Sequence, residues 1–364
     1  MTLKIGLFGL AWMLALILAY SMGRNATLEA GEESEGRSTD ANRRGTLVVS
    51  GRAEFEAKLE FVEDPEVHDE LFEHAEKWAR SSPEEAVKWL GELEFDDPRN
   101  PFLFSALTQW AEQDASAASK WLNQKYSEGH LSMNYLLAAM VRGLSRQDPD
   151  VAKSMLLSSP KSPERSGAVD FLVRAWYRKG IEHAAEELKS LGDLKERALK
   201  ELFLNVSSED LEKAVSLSEG LPFEDRLIAQ ASLAANWGRR DPAAAAKWAG
   251  GLDGHVVRER ALGEVATRWA RLDPVAAGQW LDENAGRSEM DLAMRSYAGN
   301  TVNYDPALAF AKVSRITSQS LRDQSFEQIG RIFLNHQPQR AKAYFENDTV
   351  IPAVVRETLL RSFE

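Results

Sequence analysis

The chain has 364 residues, no cysteine, and a net charge of −12 from 44 basic and 56 acidic side chains. The absence of cysteine excludes disulfides, thiolate metal sites and a cysteine nucleophile. The acidic balance disfavours nucleic acid as a partner, because a negatively charged surface repels phosphate. At 44% apolar and 27% charged residues, the composition is that of a folded protein with ample core material.

The first feature of the chain is an apolar segment over 5–22, which contains no charged residue and is preceded by Lys4. A helix of this length reaches about 27 Å, close to the hydrocarbon thickness of about 30 Å. We predict a signal anchor at 1–23 that holds the rest of the chain outside the cytoplasm in a single-pass membrane protein. The alternative is a signal peptide cleaved near Ser21, which would give a secreted or periplasmic protein.

The segment that follows, 24–45, is rich in small and polar residues, with Leu28 as its one large apolar residue. Such a segment cannot offset the entropy of ordering by burying apolar surface. We therefore expect a disordered polar linker between the anchor and a folded region over 46–364.

One sequence phrase then recurs nine times. Each copy has a large residue, which we call the anchor. Asp-Pro or an equivalent turn follows four residues after the anchor, and an alanine follows eight residues after it. The anchors, 30 to 34 residues apart, are Trp78, Trp110, Leu144, Trp176, Val206, Trp237, Trp269, Thr301 and Phe333. The alanines are Ala86, Ala118, Ala152, Ala184, Ala214, Ala245, Ala277, Ala309 and Ala341. A fixed period of this size indicates a stacked array of small units.

The phrase predicts a helix, a tight turn and a second helix. Apolar residues fall eight, seven, four and three positions before the clearer anchors, which is the spacing of one face of an amphipathic helix. Aspartate at the turn is a preferred N-cap, and proline suits the first helical position. The Ser82-Pro83-Glu84-Glu85 segment has the pattern of a capping box. The recurrent alanine indicates a close helix crossing where only a methyl group fits.

The copy Trp237…Asp241-Pro242…Ala245…Trp248 shows the phrase most clearly. Its unit length, its tryptophan and its recurrent Ala and Pro resemble tetratricopeptide-type and HEAT-type α-solenoids. Trp248 is followed by Ala-Gly-Gly-Leu, which departs from the Leu-Gly-x-x-Tyr pattern of the tetratricopeptide family. The phrase also resembles that of uncharacterised bacterial envelope repeat proteins. The resemblance implies an all-α, right-handed solenoid of about nine repeats with terminal capping helices, which binds a protein or peptide.

Arginine stands two residues after the anchor in five of the nine copies: Arg80, Arg146, Arg178, Arg239 and Arg271. Cations in the last turn of a helix complement the negative end of the macrodipole, so a structural role explains them. The alternative is a ladder of guanidinium groups that binds an anionic peptide or polymer. The five arginines are therefore candidate partner-binding residues.

The tryptophans present a similar choice. Nine of them fall in the array: Trp78, Trp89, Trp110, Trp121, Trp176, Trp237, Trp248, Trp269 and Trp280. Their fixed place in the repeat predicts that they belong to the core. If they were exposed in a groove, they could stack on sugars.

Residues that would indicate catalysis are sparse. The six histidines have no metal-ligand spacing, and no nucleophile-elbow, Walker or dinucleotide-binding motif occurs. We expect no catalytic centre, no metal and no cofactor. The predicted function is a membrane-tethered scaffold or adaptor that binds a protein or peptide, and not an enzyme. The alternatives are an α/α-toroid enzyme acting on envelope polysaccharide and a passive structural spacer.

Overall fold

The computed structural model describes residues 73–74, 77–91, 100–127 and 134–361. Within these ranges the chain is helical and contains no strand, which confirms the all-α prediction. The predicted anchor and the predicted linker lie outside the described residues. Among the helices that the structure describes, none is both long enough and apolar enough to cross a membrane.

The helices alternate with short turns along the described chain. In chain order they are α1 (Pro83–Leu90), α2 (Asn100–Gln113), α3 (Ala115–Ser127), α4 (Asn134–Gln147), α5 (Pro149–Ser158), α6 (Pro163–Tyr177), α7 (Ile181–Glu187), α8 (Lys195–Leu204), α9 (Leu211–Glu219), α10 (Phe223–Trp237), α11 (Pro242–Gly250), α12 (His255–Leu272), α13 (Pro274–Glu283), α14 (Asp291–Thr301), α15 (Pro306–Val313), α16 (Gln319–His336), α17 (Pro338–Asn347) and α18 (Ala353–Leu360). Short 3₁₀ helices cover Leu188–Ser190, Gly192–Leu194 and Ser288–Met290. The chain divides into two compact units, one ending at Ala175 and the other beginning at Trp176.

The predicted aspartate caps begin several of the second helices. Asp241, Asp273 and Asp305 each accept a hydrogen bond from the backbone N–H three residues on, at 2.9 Å. The carboxylate thereby satisfies one of the amides that the first turn of a helix leaves without a partner. The capping-box prediction at Ser82 is wrong, because that hydroxyl makes no cap bond to α1. The residue that favours the start of α1 is Pro83, which occupies the first helical position.

The recurrent alanine marks the closest helix packing. All nine alanines of this column are fully buried: Ala86, Ala118, Ala152, Ala184, Ala214, Ala245, Ala277, Ala309 and Ala341. A larger side chain would have to displace the facing helix, since protein interiors are close-packed. The burial of the whole column is what a close helix crossing at these alanines requires.

Within each unit, the first helices of consecutive copies pack side by side, and most of them also pack on their own second helix. In the first unit α2 packs on α4 and on α3. In the second unit α8, α10, α12, α14 and α16 pack in that order, each against the next. Two sequence features therefore correspond to packing in the structure. The apolar face of each first helix contacts the next first helix. The tight Asp-Pro turn directs the second helix back along the first.

The tryptophans pair within copies. Ring centroids lie 5.6 Å apart in Trp78–Trp89, 6.2 Å in Trp110–Trp121, 5.7 Å in Trp237–Trp248 and 5.4 Å in Trp269–Trp280. Trp78, Trp110, Trp121 and Trp176 are buried, as a core role predicts. The two pairs of the second unit are only partly buried and pack on the edge of its core. These two pairs therefore combine structural packing with accessible ring surface.

Candidate functional site

Two of the candidate arginines are bound to neighbouring copies. Arg146 donates from Nη1 to Glu112 Oε2 at 2.8 Å, across 34 residues of chain. Arg239 donates from Nη2 to the carbonyl oxygen of Leu204 at 2.7 Å, across 35 residues. Burial, together with the charges of nearby arginines, lowers the pKa of Arg239 below its ordinary value. Both side chains join one helix pair to the adjacent one.

The remaining three arginines differ among themselves. Arg271 donates from Nε to Asn300 Oδ1 at 2.6 Å, again in the adjacent copy. Arg80 is exposed, and its backbone carbonyl accepts from Gln113 Nε2 at 3.1 Å. Arg178 is exposed, and its guanidinium makes no hydrogen bond or ion pair within the described residues. Arg178 is thus the candidate whose side chain no described contact explains.

The second unit exposes a group of large apolar side chains around a groove. Tyr304 is 83% exposed, Val275 is 67% exposed and Leu308 is 37% exposed. These side chains line a cavity of about 600 Å³ together with Ala270, Arg271, Pro274, Tyr297, Asn300, Thr301 and Asp305. We call this cavity the tyrosine groove. Exposed apolar side chains gathered at one concave place mark an interaction surface more often than scattered ones do.

Several polar groups of the tyrosine groove already have partners inside the protein. Asn300 Oδ1 accepts from Arg271 Nε, and Tyr297 donates its phenolic O–H to the carbonyl oxygen of Pro274 at 2.9 Å. Asp305 caps α15. Burial raises the pKa of Tyr297 to about 12, and the carboxylates of Asp305 and Asp282 add to the shift. The groove therefore offers apolar contact area beside polar groups of which several are already hydrogen-bonded within the protein.

Sequence reasoning missed Tyr304, although its position carried a signal. The residue three positions after the anchor is polar or charged in seven copies: Ser81, Gln113, Gln147, Lys179, Glu209, Arg240 and His336. In two consecutive copies it is Leu272 and Tyr304, and both are largely exposed. Two adjacent apolar residues in an exposed polar column point to a contact that the isolated chain does not make.

The second unit also contains a buried charged residue. Lys312 donates from Nζ to the carbonyl oxygen of Gly278 at 2.8 Å and to Asp282 Oδ1 at 2.5 Å. Its ammonium lies 5.9 Å from the centroid of the Tyr297 ring. No cluster of three or more metal-ligating side chains occurs in the described part of the chain.

Comparison of the chain with models of protein families, with curated proteins and with solved structures finds no match in any of the three.

Proposed function

We propose that this chain is a helical-repeat binding protein, an α-solenoid whose tyrosine groove takes up an apolar segment of a partner protein. The observation that carries the proposal is the exposure of Tyr304, Val275 and Leu308 around one groove. Aromatic side chains are the usual anchors of protein interfaces, because they bury a large area at little cost in conformational entropy.

The kind of partner segment follows from the groove's chemistry. Several hydrogen bonds at the groove, such as that from Arg271 to Asn300, are already made within the protein. A partner that offered charged groups to this place would have to break them or leave its own groups unpaired, which is costly. An apolar side chain on a helix or extended peptide gains burial without that cost.

The proposal includes the setting of the binding module. The apolar segment over 5–22 would tether the chain to a membrane, and the polar linker over 24–45 would hold the helices outside the cytoplasm. In this arrangement the protein is a scaffold or adaptor, and its role is binding and not catalysis.

The experiment that tests the proposal is capture of partners by the full chain from a detergent extract of its native membrane, with identification by mass spectrometry. The variant Val275→Ser/Tyr304→Ser removes the apolar groove. We expect a partner retained by the wild-type chain to be lost with this variant, because its anchor contacts are gone.

A matched control changes two exposed apolar residues that do not line the groove, Phe223→Ser/Val256→Ser. This control should retain the same partner as the wild-type chain. Equal retention by the groove variant and the wild-type chain, or no retained protein at all, would overturn the proposed function.

A further inference from the structure

A second cavity of the same unit contains a polar residue in a column that is otherwise apolar. The position seven residues before the anchor is occupied by Leu71, Leu103, Leu137, Val169, Leu199, Gln230, Leu262, Met294 and Phe326. Gln230 is 3% exposed, so its amide lies where the other copies bury an apolar side chain. Its Oε1 atom is buried and has no hydrogen-bond partner.

The residue that binds the nitrogen end of this amide also differs from the equivalent residues of the other copies. Twelve residues after the anchor stand Leu90, Leu122, Leu156, Leu188, Ser218, Ala249, Leu281, Val313 and Phe345. Ser218 is fully buried, and its hydroxyl accepts from Gln230 Nε2 at 3.3 Å. Two polar residues, one on α9 and one on α10, thus contact each other in place of two apolar ones. The serine fixes one end of the amide and leaves the carbonyl oxygen free.

Arg226, one turn before Gln230 on α10, is the third residue here whose contacts differ from those of the equivalent residues in other copies. The equivalent arginines of other copies donate to the backbone carbonyl at the end of the preceding helical segment. Arg165 donates to Leu156 at 2.7 Å, and Arg322 donates to Ile316 at 2.8 Å. Arg226 makes no side-chain hydrogen bond or ion pair with the described residues, and its Nε atom, like that of the equivalent Arg258, is buried without a hydrogen-bond partner.

These residues line one cavity. Gln230, Arg226, Trp237 and Trp248 surround a volume of about 690 Å³, which lies within the range of about 300–1,000 Å³ of small-molecule sites. The two indole rings are 5.7 Å apart and tilted by 35°. The rest of the lining is Glu219, Ala244, Lys247, Gly251, Leu252 and Asp253. We call this cavity the tryptophan pocket.

The unpaired groups define the chemistry of a ligand. The Gln230 oxygen needs a hydrogen-bond donor, and the Arg226 guanidinium needs an acceptor. Because the two residues are four apart on a helix, their side chains lie about 5–6 Å from each other at Cβ. Two adjacent hydroxyl groups supply one donor and one acceptor, on which the ends of these two side chains can converge. The apolar ring faces of the tryptophans suit the C–H face of a sugar ring.

We propose that the tryptophan pocket binds an uncharged sugar through two adjacent hydroxyl groups, one donating to Gln230 and one accepting from Arg226. A cationic ligand that donated to Gln230 would meet the charge of Arg226. An anion would meet the carboxylates of Glu219 and Asp253, which oppose the positive charges of Arg226 and Lys247 in the same lining. An uncharged ligand avoids both repulsions. This site lies outside the tyrosine groove and does not depend on the function proposed for that groove.

The test is saturation-transfer difference NMR on the full chain, solubilised in a detergent without a sugar headgroup. The probes are the methyl glycosides of glucose, galactose, mannose and N-acetylglucosamine, with cellobiose and maltose. We expect transfer to at least one of these sugars, with the ring protons of the bound face receiving the most. The substitution Gln230→Leu should weaken that sugar's binding by about tenfold, because it removes the buried acceptor.

Gln230→Leu restores the residue type of the other copies, so it should fold, and circular dichroism checks that it does. A second variant, Lys247→Met, changes an exposed residue of the pocket wall and should also weaken binding. Gln279→Ala alters the equivalent position of the next copy, outside the pocket, and should leave binding unchanged.

Two results would overturn the proposal. One is the absence of transfer to every sugar of the panel, or transfer that Gln230→Leu and Lys247→Met leave unchanged. The other is Gln230-dependent transfer to N-acetylated, C-amidated dipeptides, which would assign the pocket to peptide. The tyrosine-groove variant Val275→Ser/Tyr304→Ser should bind the sugar as the wild-type chain does, so failure of one proposal is distinguishable from failure of the other.

Discussion

Lys312 and Gln230 are both polar residues at positions where most copies of the repeat have a large apolar residue, and both are buried. Around Lys312 the protein supplies two strong partners: the Gly278 carbonyl and the Asp282 carboxylate bind its ammonium. Around Gln230 it supplies only half, because Ser218 accepts from the amide nitrogen and nothing binds the amide oxygen.

The difference separates two kinds of departure from a repeat. A buried polar group whose partners come from the fold is explained by the fold, whatever it contributes to stability. A buried polar group with an unused atom lowers stability unless a group from outside the fold binds it. The comparison leads to predictions about which positions tolerate change.

The largest effect is expected for Leu262→Gln, which places an amide at the position equivalent to Gln230 in the next copy. Leu262 is 2% exposed, and the equivalent of Ser218 there is Ala249, which has no polar side-chain group. The substitution loses apolar burial and leaves an amide unpaired, so the free energy of unfolding should fall by about 3 kcal/mol. Urea unfolding followed by circular dichroism measures it. A decrease in the free energy of unfolding below about 1 kcal/mol would mean that this position tolerates polar residues in the repeat. Gln230 would then be no argument for a ligand.

The next effect concerns the satisfied site. Asp282→Ala removes the carboxylate that pairs with Lys312 and also contacts Arg315. The buried ammonium then keeps only the Gly278 carbonyl. Because Asp282 is half exposed and water can replace part of its interaction, we expect a loss of about 2 kcal/mol.

The control for that loss is Lys312→Met, which removes the charge itself and keeps an apolar chain of similar length. It should cost less than about 1 kcal/mol, since an apolar residue is common at this position. A larger cost for Lys312→Met than for Asp282→Ala would show that the ammonium contributes more than its partner does, contrary to this account.

The alkaline stability of the second unit should depend on Tyr297, the aromatic neighbour of Lys312. Its pKa is raised from 10.0 to about 12, so between these pH values the folded state holds a proton that the unfolded state has lost. Stability is therefore fully present below pH 10 and falls as the pH rises towards 12. Relative to pH 9, the contribution lost at pH 11 is about 1 kcal/mol. Tyr297→Phe should show a shallower decline of the urea midpoint with pH, and an unchanged decline would contradict the assignment.

At Gln230, whose amide oxygen is unpaired, we expect a substitution to increase stability. Gln230→Leu removes an unpaired buried oxygen and restores apolar packing, so it should raise the free energy of unfolding by about 1 kcal/mol in the absence of ligand. Ser218 keeps its own donor bond to the carbonyl oxygen of Val215. A loss of stability in the same urea experiment would show that the amide is structural and would weaken the argument for a ligand.

Much of the fold was predictable because the residues that recur in each copy have strong effects on local structure. The alanine column and the Asp241, Asp273 and Asp305 caps act within one or two helical turns, so their roles follow from spacing. The signals of the two candidate sites were of another kind. Tyr304 and Gln230 differ from their own columns, and a search for what the copies share passes over them.

The arginines could not be sorted from the sequence for a physical reason. All five occupy the same place near a helix end, where a cation is favourable in any case. What distinguishes them is the residue that the adjacent copy presents: a carboxylate at Glu112 for Arg146, a backbone carbonyl at Leu204 for Arg239. Those partners are more than 30 residues away, beyond the reach of a local pattern.

The smallest effects are expected for these arginines, and they extend the contrast between satisfied and unsatisfied groups to the surface. Arg239→Gln breaks a bond to Leu204 and should cost about 1 kcal/mol, whereas Arg178→Gln breaks no described contact and should change stability by less than about 0.5 kcal/mol. Both values come from the same urea titration. Because Arg178 can be changed without structural cost, its effect on partner capture is interpretable: a loss of the captured protein with Arg178→Gln would assign that guanidinium to binding. Equal destabilisation by the two variants would mean that Arg178 has a structural partner after all, and that the ladder acts as a set of helix-end cations.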